Sequence, residues 1–191
     1  MDKQLNRRAV EELFRSHKGQ LTGYLHRLLQ NREEALDIVQ ETFVRALGQS
    51  GFGDPGFQSR QWIFRVATNL AFSAGRRIRR SLKAFAGLTL DESNFQIPAA
   101  EHSVQKRDEM KALLAGLGKL DYQTRSAILL RYFENMSCQE IGEILSLPTG
   151  TVMTRLHRGR QALRSFIESG PLNRELSAEA NWEEEDAVRS S

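Results

Sequence analysis

One cysteine and four prolines occur in 191 residues. The lone cysteine, Cys138, excludes an internal disulfide, and no CxxC or clustered Cys/His pattern offers ligands to a metal. No run of 18 apolar residues exists, so no segment reads as a membrane span. The opening residues, MDKQLNRRAVEELF, lack the apolar stretch of a signal peptide. Sustained alternation of apolar and polar residues is missing too, which argues against a sheet. There is no phosphate-cradling glycine loop and no nucleophile–base pattern. The acidic groups Glu33–Glu34 and Glu183–Glu185 read as solvated charges, and His17, His26 and His102 have no partners at ligand spacing. These absences predict an all-α cytoplasmic protein that is not an enzyme, holds no cofactor or metal and takes no small-molecule substrate.

Charge is present, and it is unevenly placed. The net value is only +3, yet residues 170–191 carry six acidic side chains against Arg174 and Arg189. Residues 1–169 therefore hold 25 basic and 18 acidic groups, or +7. A basic body with an acidic tail points to a polyanionic partner for the body.

Residues 137–163, SCQEIGEILSLPTGTVMTRLHRGRQAL, carry the most information. Ser137 can accept from free amides at a helix start, and Glu140, three residues on, completes a capping box. Ile141, Ile144 and Leu145 form one apolar stripe. Pro148 interrupts it, having no amide hydrogen and disfavouring helical dihedrals at the residue before. A second helix follows with Val152, Leu156 and Leu163 on its buried side. Its other faces carry Thr151, Thr154, Arg155, His157, Arg158 and Arg160. A short capped helix, a tight turn and an arginine-rich second helix suit insertion into a major groove.

Two helical blocks are expected, at residues 5–83 and 104–169. In the first, Val10, Leu13, Phe14, Leu21, Tyr24, Leu25, Leu28 and Leu29 recur at helical spacing. Next, Ala35, Ile38, Val39, Thr42, Phe43 and Ala46 form a core-facing stripe, with Asp37, Gln40, Glu41, Val44 and Arg45 opposite. Four breakers between Gly51 and Gly56 predict an irregular loop. Over residues 60–80, Ile63, Val66, Ala67, Leu70, Ala71 and Ala74 form a core stripe. Trp62, Arg65, Asn69, Phe72 and Arg76 form a second stripe of aromatics, arginine and amide. In the second block, Leu113, Leu117, Ile128, Leu129, Tyr132 and Phe133 precede the helix-turn-helix. Periodicity is lost over 84–103, read as a flexible linker that spans roughly 65–70 Å when extended. Residues 170–191 read as a flexible acidic tail.

Three stretches, EALDIVQETFVRAL, RQWIFRVATNLA and LGKLDYQTRSAILLRYFENMSCQEIGEILSLPTGTVMTRLHRGRQAL, together resemble the extracytoplasmic-function sigma factors of bacterial RNA polymerase. The resemblance covers both blocks in order and spacing. It implies two small helical domains, sigma regions 2 and 4, with polymerase core and promoter DNA as partners. Asp37, Gln40, Glu41 and Arg45 match the helix that docks on the clamp coiled-coil, while region 4 meets the flap. Trp62, Arg65 and Asn69 match the segment that opens and holds the −10 element, where aromatics stack bases and arginines hold the backbone. Trp62 is as readily a packing residue. The loop 50–57 matches the place where a −10 base is flipped out. Arg76 and Arg77, with Arg79 and Arg80, match neighbouring phosphate contacts.

In the second helix of the helix-turn-helix, Met153, Thr154, His157 and Arg158 match positions that read the −35 element. Arg158 is the expected base reader, since guanidinium pairs bidentately with guanine. Thr151, Arg155 and Arg160 are expected at phosphates. Met153 stands where relatives often carry a basic residue, and Gly142 where they usually carry alanine; close helix crossing is the expected reason for Gly142. The resemblance further implies a stress, envelope or metal-response regulon and a membrane-anchored anti-sigma factor that recruits the protein to the inner membrane. A free-standing helix-turn-helix regulator is the alternative, but it needs no DNA-opening helix and no clamp-docking face.

Overall fold

The computed structural model describes residues 3–86 and 112–169, and all regular structure among them is helical. In the N-terminal block, α1 (Lys3–Leu29), α2 (Arg32–Gly48) and α3 (Ser59–Ala86) pack together. The C-terminal block holds α4 (112–118), α5 (Tyr122–Tyr132), α6 (Cys138–Leu145) and α7 (Thr149–Ser169). The expected linker starts at residue 84, but α3 continues to Ala86; residues 87–111 and the acidic tail lie outside the described residues.

Local chemistry sets the helix ends. α1 stops at Gln30, whose φ of 55° turns the chain while its amide donates to the His26 carbonyl at 2.7 Å. Asn31 then caps α2 by accepting from the Glu34 amide at 3.2 Å. The residues α2 buries are Ala35, Ile38, Val39, Thr42, Phe43 and Ala46, the stripe read from spacing. Phe43 meets Phe14 of α1 edge-on at 4.9 Å.

α3 departs from expectation. Its buried face is Ile63, Phe64, Ala67, Thr68 and Ala71. Val66, Leu70 and Ala74 are only half-buried at its margin. Thr68 bonds the Tyr24 hydroxyl at 2.8 Å, and full burial pushes that phenol up to about 12. Phe72, expected on the second stripe with Trp62, meets the ring of Tyr122 at 5.8 Å.

That contact belongs to a seam between the blocks. They lie against one another, α1 along α5 and α3 along α6, and one apolar core runs through both. Arg125 of α5 is buried and donates to the Leu28 carbonyl of α1 at 2.8 Å. Arg60 of α3 donates to the Glu134 carbonyl at 2.7 Å and lies 3.4 Å from its carboxylate. The Gln30 amide donates to the Leu114 carbonyl, and Arg27 stacks on Phe133 at 4.5 Å. A Cβ on Gly75 would stand 3.3 Å from the Tyr122 hydroxyl, so the two blocks approach closely at this glycine.

The helix-turn-helix is built as its sequence predicts. Ser137 and Glu140 form both halves of the capping box, at 3.2 and 2.8 Å. Those hydrogen bonds from Ser137 hold the Glu140 carboxyl below its usual value. Ser146 takes a left-handed conformation, and the Leu147 amide bonds back to the Gly142 carbonyl at 2.9 Å. The reason for Gly142 is this turn rather than a crossing helix: a Cβ there would meet the Leu147 carbonyl oxygen at 2.7 Å. Gly142→Ala gains helix propensity yet forces the turn to move. A net loss of about 1–3 kcal/mol is expected in a urea melt.

Candidate nucleic-acid interface

The arginine-rich helix presents one outward face. Val152, Leu156 and Gly159 of α7 are buried, while Met153, Thr154, His157 and Arg158 are exposed. Met153 is 56% exposed, an uncommon state for a large apolar side chain beside polar ones. The Thr154 hydroxyl donates back to the Gly150 carbonyl at 3.0 Å, which leaves its methyl and oxygen lone pairs outward. This face suits base edges in a major groove.

The two flanks of that face differ. Thr151 is half-buried, and Arg160 is exposed with one nitrogen 3.4 Å from the Tyr132 hydroxyl. Arg155 turns inward. It donates to Asp121 and Thr124 at 3.2 Å each and to Gln123 at 2.5 Å, bracing the first turn of α5. Asp121 caps that turn, accepting from the Gln123 and Thr124 amides at 3.1 and 3.0 Å. Burial opposes the Asp121 charge, but the Thr124 bonds, Arg155 and the Gln123 amide outweigh it and hold the carboxyl below its usual value. Among the outward positions, an arginine committed to a cap cannot be told from a phosphate contact by spacing alone.

In the N-terminal block, Trp62 is half-buried, its ring edge-on to the buried Phe52 at 5.1 Å. The loop before it is pinned by Asn6, which donates to the Gln49 carbonyl and accepts from the Phe52 amide. Trp62 therefore has a packing role. One side of it still faces a cleft shared with Arg65, Gln61 and Glu143. Arg65, Asn69 and Arg76 are exposed, and the Arg77 side chain lies outside what the structure describes.

On α2, Asp37, Gln40, Glu41 and Arg45 are all exposed, and Glu41 pairs with Arg45 at 2.7 Å. An exposed i,i+4 pair of this kind contributes only about 0.3–0.5 kcal/mol. Val44, placed on this face by spacing, is 63% exposed, and Leu36 and Leu47, which spacing had not singled out, are exposed beside it. A face mixing carboxylates with uncovered aliphatic side chains suits a protein partner. No group of three metal-ligating side chains occurs among the described residues, and none of their helices is long and apolar enough to cross a membrane.

Comparison with known proteins agrees with this layout. Residues 13–81 match the family described as Sigma-70 region 2, and residues 110–163 match Sigma-70, region 4. The ECF RNA polymerase sigma factor SigW of Bacillus subtilis (strain 168) is 33% identical over 169 residues, covering 83% of this chain and 89% of that protein. The sigma factor RpoE solved with the anti-sigma factor NepR from Bartonella quintana shares the fold. Its TM-score is 0.66 at 23% identity, over 83% of this chain and 96% of that one. CnrH, solved in complex with the cytosolic domain of CnrY, matches with a TM-score of 0.61 and 25% identity over 88% and 97%. The fold and the surface helices define a two-block sigma-70 factor. The chain belongs to the ECF branch of the sigma-70 family of RNA polymerase sigma factors.

Arg155 and Arg158 should behave oppositely. Arg155→Ala unbraces the α5 cap and is expected to lower stability by about 1–2 kcal/mol. Arg158→Ala, at an exposed side chain, is expected to leave the melt unchanged. The Asp121 cap adds a pH signature. Its depressed carboxyl contributes stability above the ordinary carboxylate range and loses it as pH falls through the lowered folded value. Removing Arg155 brings the folded Asp121 value closer to the unfolded one, so Arg155→Ala should lose less stability between neutral and acid pH than the parent chain.

Proposed function

We propose that this chain binds RNA polymerase core and directs it to specific promoters, as a cytoplasmic initiation factor whose catalysis belongs to the polymerase. The single observation that carries this reading is the pairing of two surfaces in one chain. One is the outward recognition face of α7; the other is the α3 face holding Trp62, Arg65 and Asn69 over a packed aromatic loop.

In this reading Met153, Thr154, His157 and Arg158 read the −35 duplex, with Thr151 and Arg160 toward phosphates. Arg155 reaches a phosphate only by leaving Asp121, so its assigned role is to fix α7 on α5. Trp62, Arg65 and Asn69 hold the displaced −10 strand, and Arg76 and Arg77 meet the backbone beside it. Asp37, Gln40, Glu41 and Arg45 dock on the clamp coiled-coil around Val44 and Leu47. An anti-sigma factor, membrane-anchored, silences the protein; RpoE was solved with the anti-sigma factor NepR and CnrH with the cytosolic domain of CnrY, which supports an inhibitory protein partner. No observation favours the free-standing regulator, which leaves the α2 and α3 faces without a use.

Run-off transcription with purified core tests the proposal. The chain plus core should start at a defined promoter, and specific operator binding by the chain alone with no effect on core would overturn it. Asp37→Lys with Glu41→Lys should weaken core binding at least about tenfold with an unchanged melt, because both side chains are exposed and oppose the core stripe. Equal core affinity would remove the clamp assignment.

A further inference from the structure

The leading end of α7 is uncharged. Residues 149–154, TGTVMT, carry no ionisable side chain, and the arginines begin only at Arg155. Yet the first turns of the second helix in a helix-turn-helix are the part that meets base edges in the groove. What those turns expose is Gly150, Met153 and Thr154.

Each of the three is unsuited to a charged contact. A Cβ on Gly150 would meet nothing within 4 Å, so nothing inside the fold calls for glycine there. A glycine kept in a helix at a cost in propensity leaves its backbone open to close approach from outside. Met153, nearly one turn on, is 56% exposed. Thr154 spends its hydroxyl proton on the Gly150 carbonyl at 3.0 Å and has none left for an acceptor on a base.

Resting on the sigma-factor reading above, we infer that Met153 is a specificity-determining residue that reads the C5-methyl of a thymine in the −35 duplex. Base pairs present donors and acceptors in the major groove, and the thymine methyl is the apolar group among them. A thioether has no donor and is a weak acceptor, so burial of apolar area is the contact Met153 offers. Its unbranched, flexible chain adjusts to where the methyl lies. Arg158 does not compete for this position. It follows Met153 by five residues, about 140° around the helix axis, so the two stand on opposite margins of the exposed face. Guanine on one margin and thymine on the other are read independently.

Replacement of a single methyl group tests this. Promoters are selected with core polymerase and the full chain from a library randomised over the −35 region. A thymine is expected at one −35 position, and Met153→Ala should lose the preference for it. On the selected promoter, deoxyuridine in place of that thymine removes the methyl and nothing else. Promoter binding by the parent enzyme should then fall about fourfold, the worth of one buried methyl group. Met153→Ala should bind both promoters equally weakly, with an unchanged melt because the side chain is exposed. Arg158→Ala should keep the full deoxyuridine effect. A −35 selection without a thymine preference, no loss on deoxyuridine, or an equal loss in Met153→Ala would each overturn the inference. Failure of the unaltered chain to initiate with core would instead overturn the sigma-factor reading.

Discussion

The structure depends on the enclosure of α5. Seven consecutive residues, Thr124 to Leu130, are buried. A helix against one neighbour buries a stripe, not an unbroken run, so α5 must be covered from more than one side. α6 and α7 cover it within its own block, and α1 covers it from the other. Arg125 gives that enclosure its specificity. A buried guanidinium needs acceptors, and it finds the carbonyls of Gly118 at the end of α4, of Leu120 just past it and of Leu28 at the end of α1. Carbonyls at helix C-terminal ends carry concentrated negative potential, which suits a cation without a buried carboxylate partner. Two acceptors stay with Arg125 if the blocks part; only Leu28 must be exchanged for water. The closed arrangement is thus stabilised without being made permanent.

That balance orders the surfaces. α2 and α7 turn their charged faces outward, away from the enclosed helix, while α3 shares its first turns with α6. The charge balance fits a DNA partner, since the basic body supplies long-range attraction to a polyanion.

Much of this was legible in the sequence, for identifiable reasons. The α2 stripe and the Ser137–Glu140 box are local: period and cap chemistry determine them, and both stand as read. α3 was misjudged because it packs against helices of both blocks. Phe64 and Thr68 face α1, where Phe64 meets the Tyr24 ring, and Phe72 faces α5, so no single stripe describes it. The seam itself was invisible, because a long breaker-containing segment between blocks says how far they could part and nothing about whether they do. Arg155 was indistinguishable from its neighbours for a related reason. An arginine at the edge of a helix face serves equally for a phosphate or a cap, and only the position of Asp121 across the block decides.

Distance between the blocks is the most direct measure of the account. Spin labels at Gln20 on α1 and Gln161 on α7, both exposed, would report it by pulsed electron resonance in a Cys138→Ser chain. The account predicts one narrow, short distribution for the free chain. A broad or long distribution would contradict it.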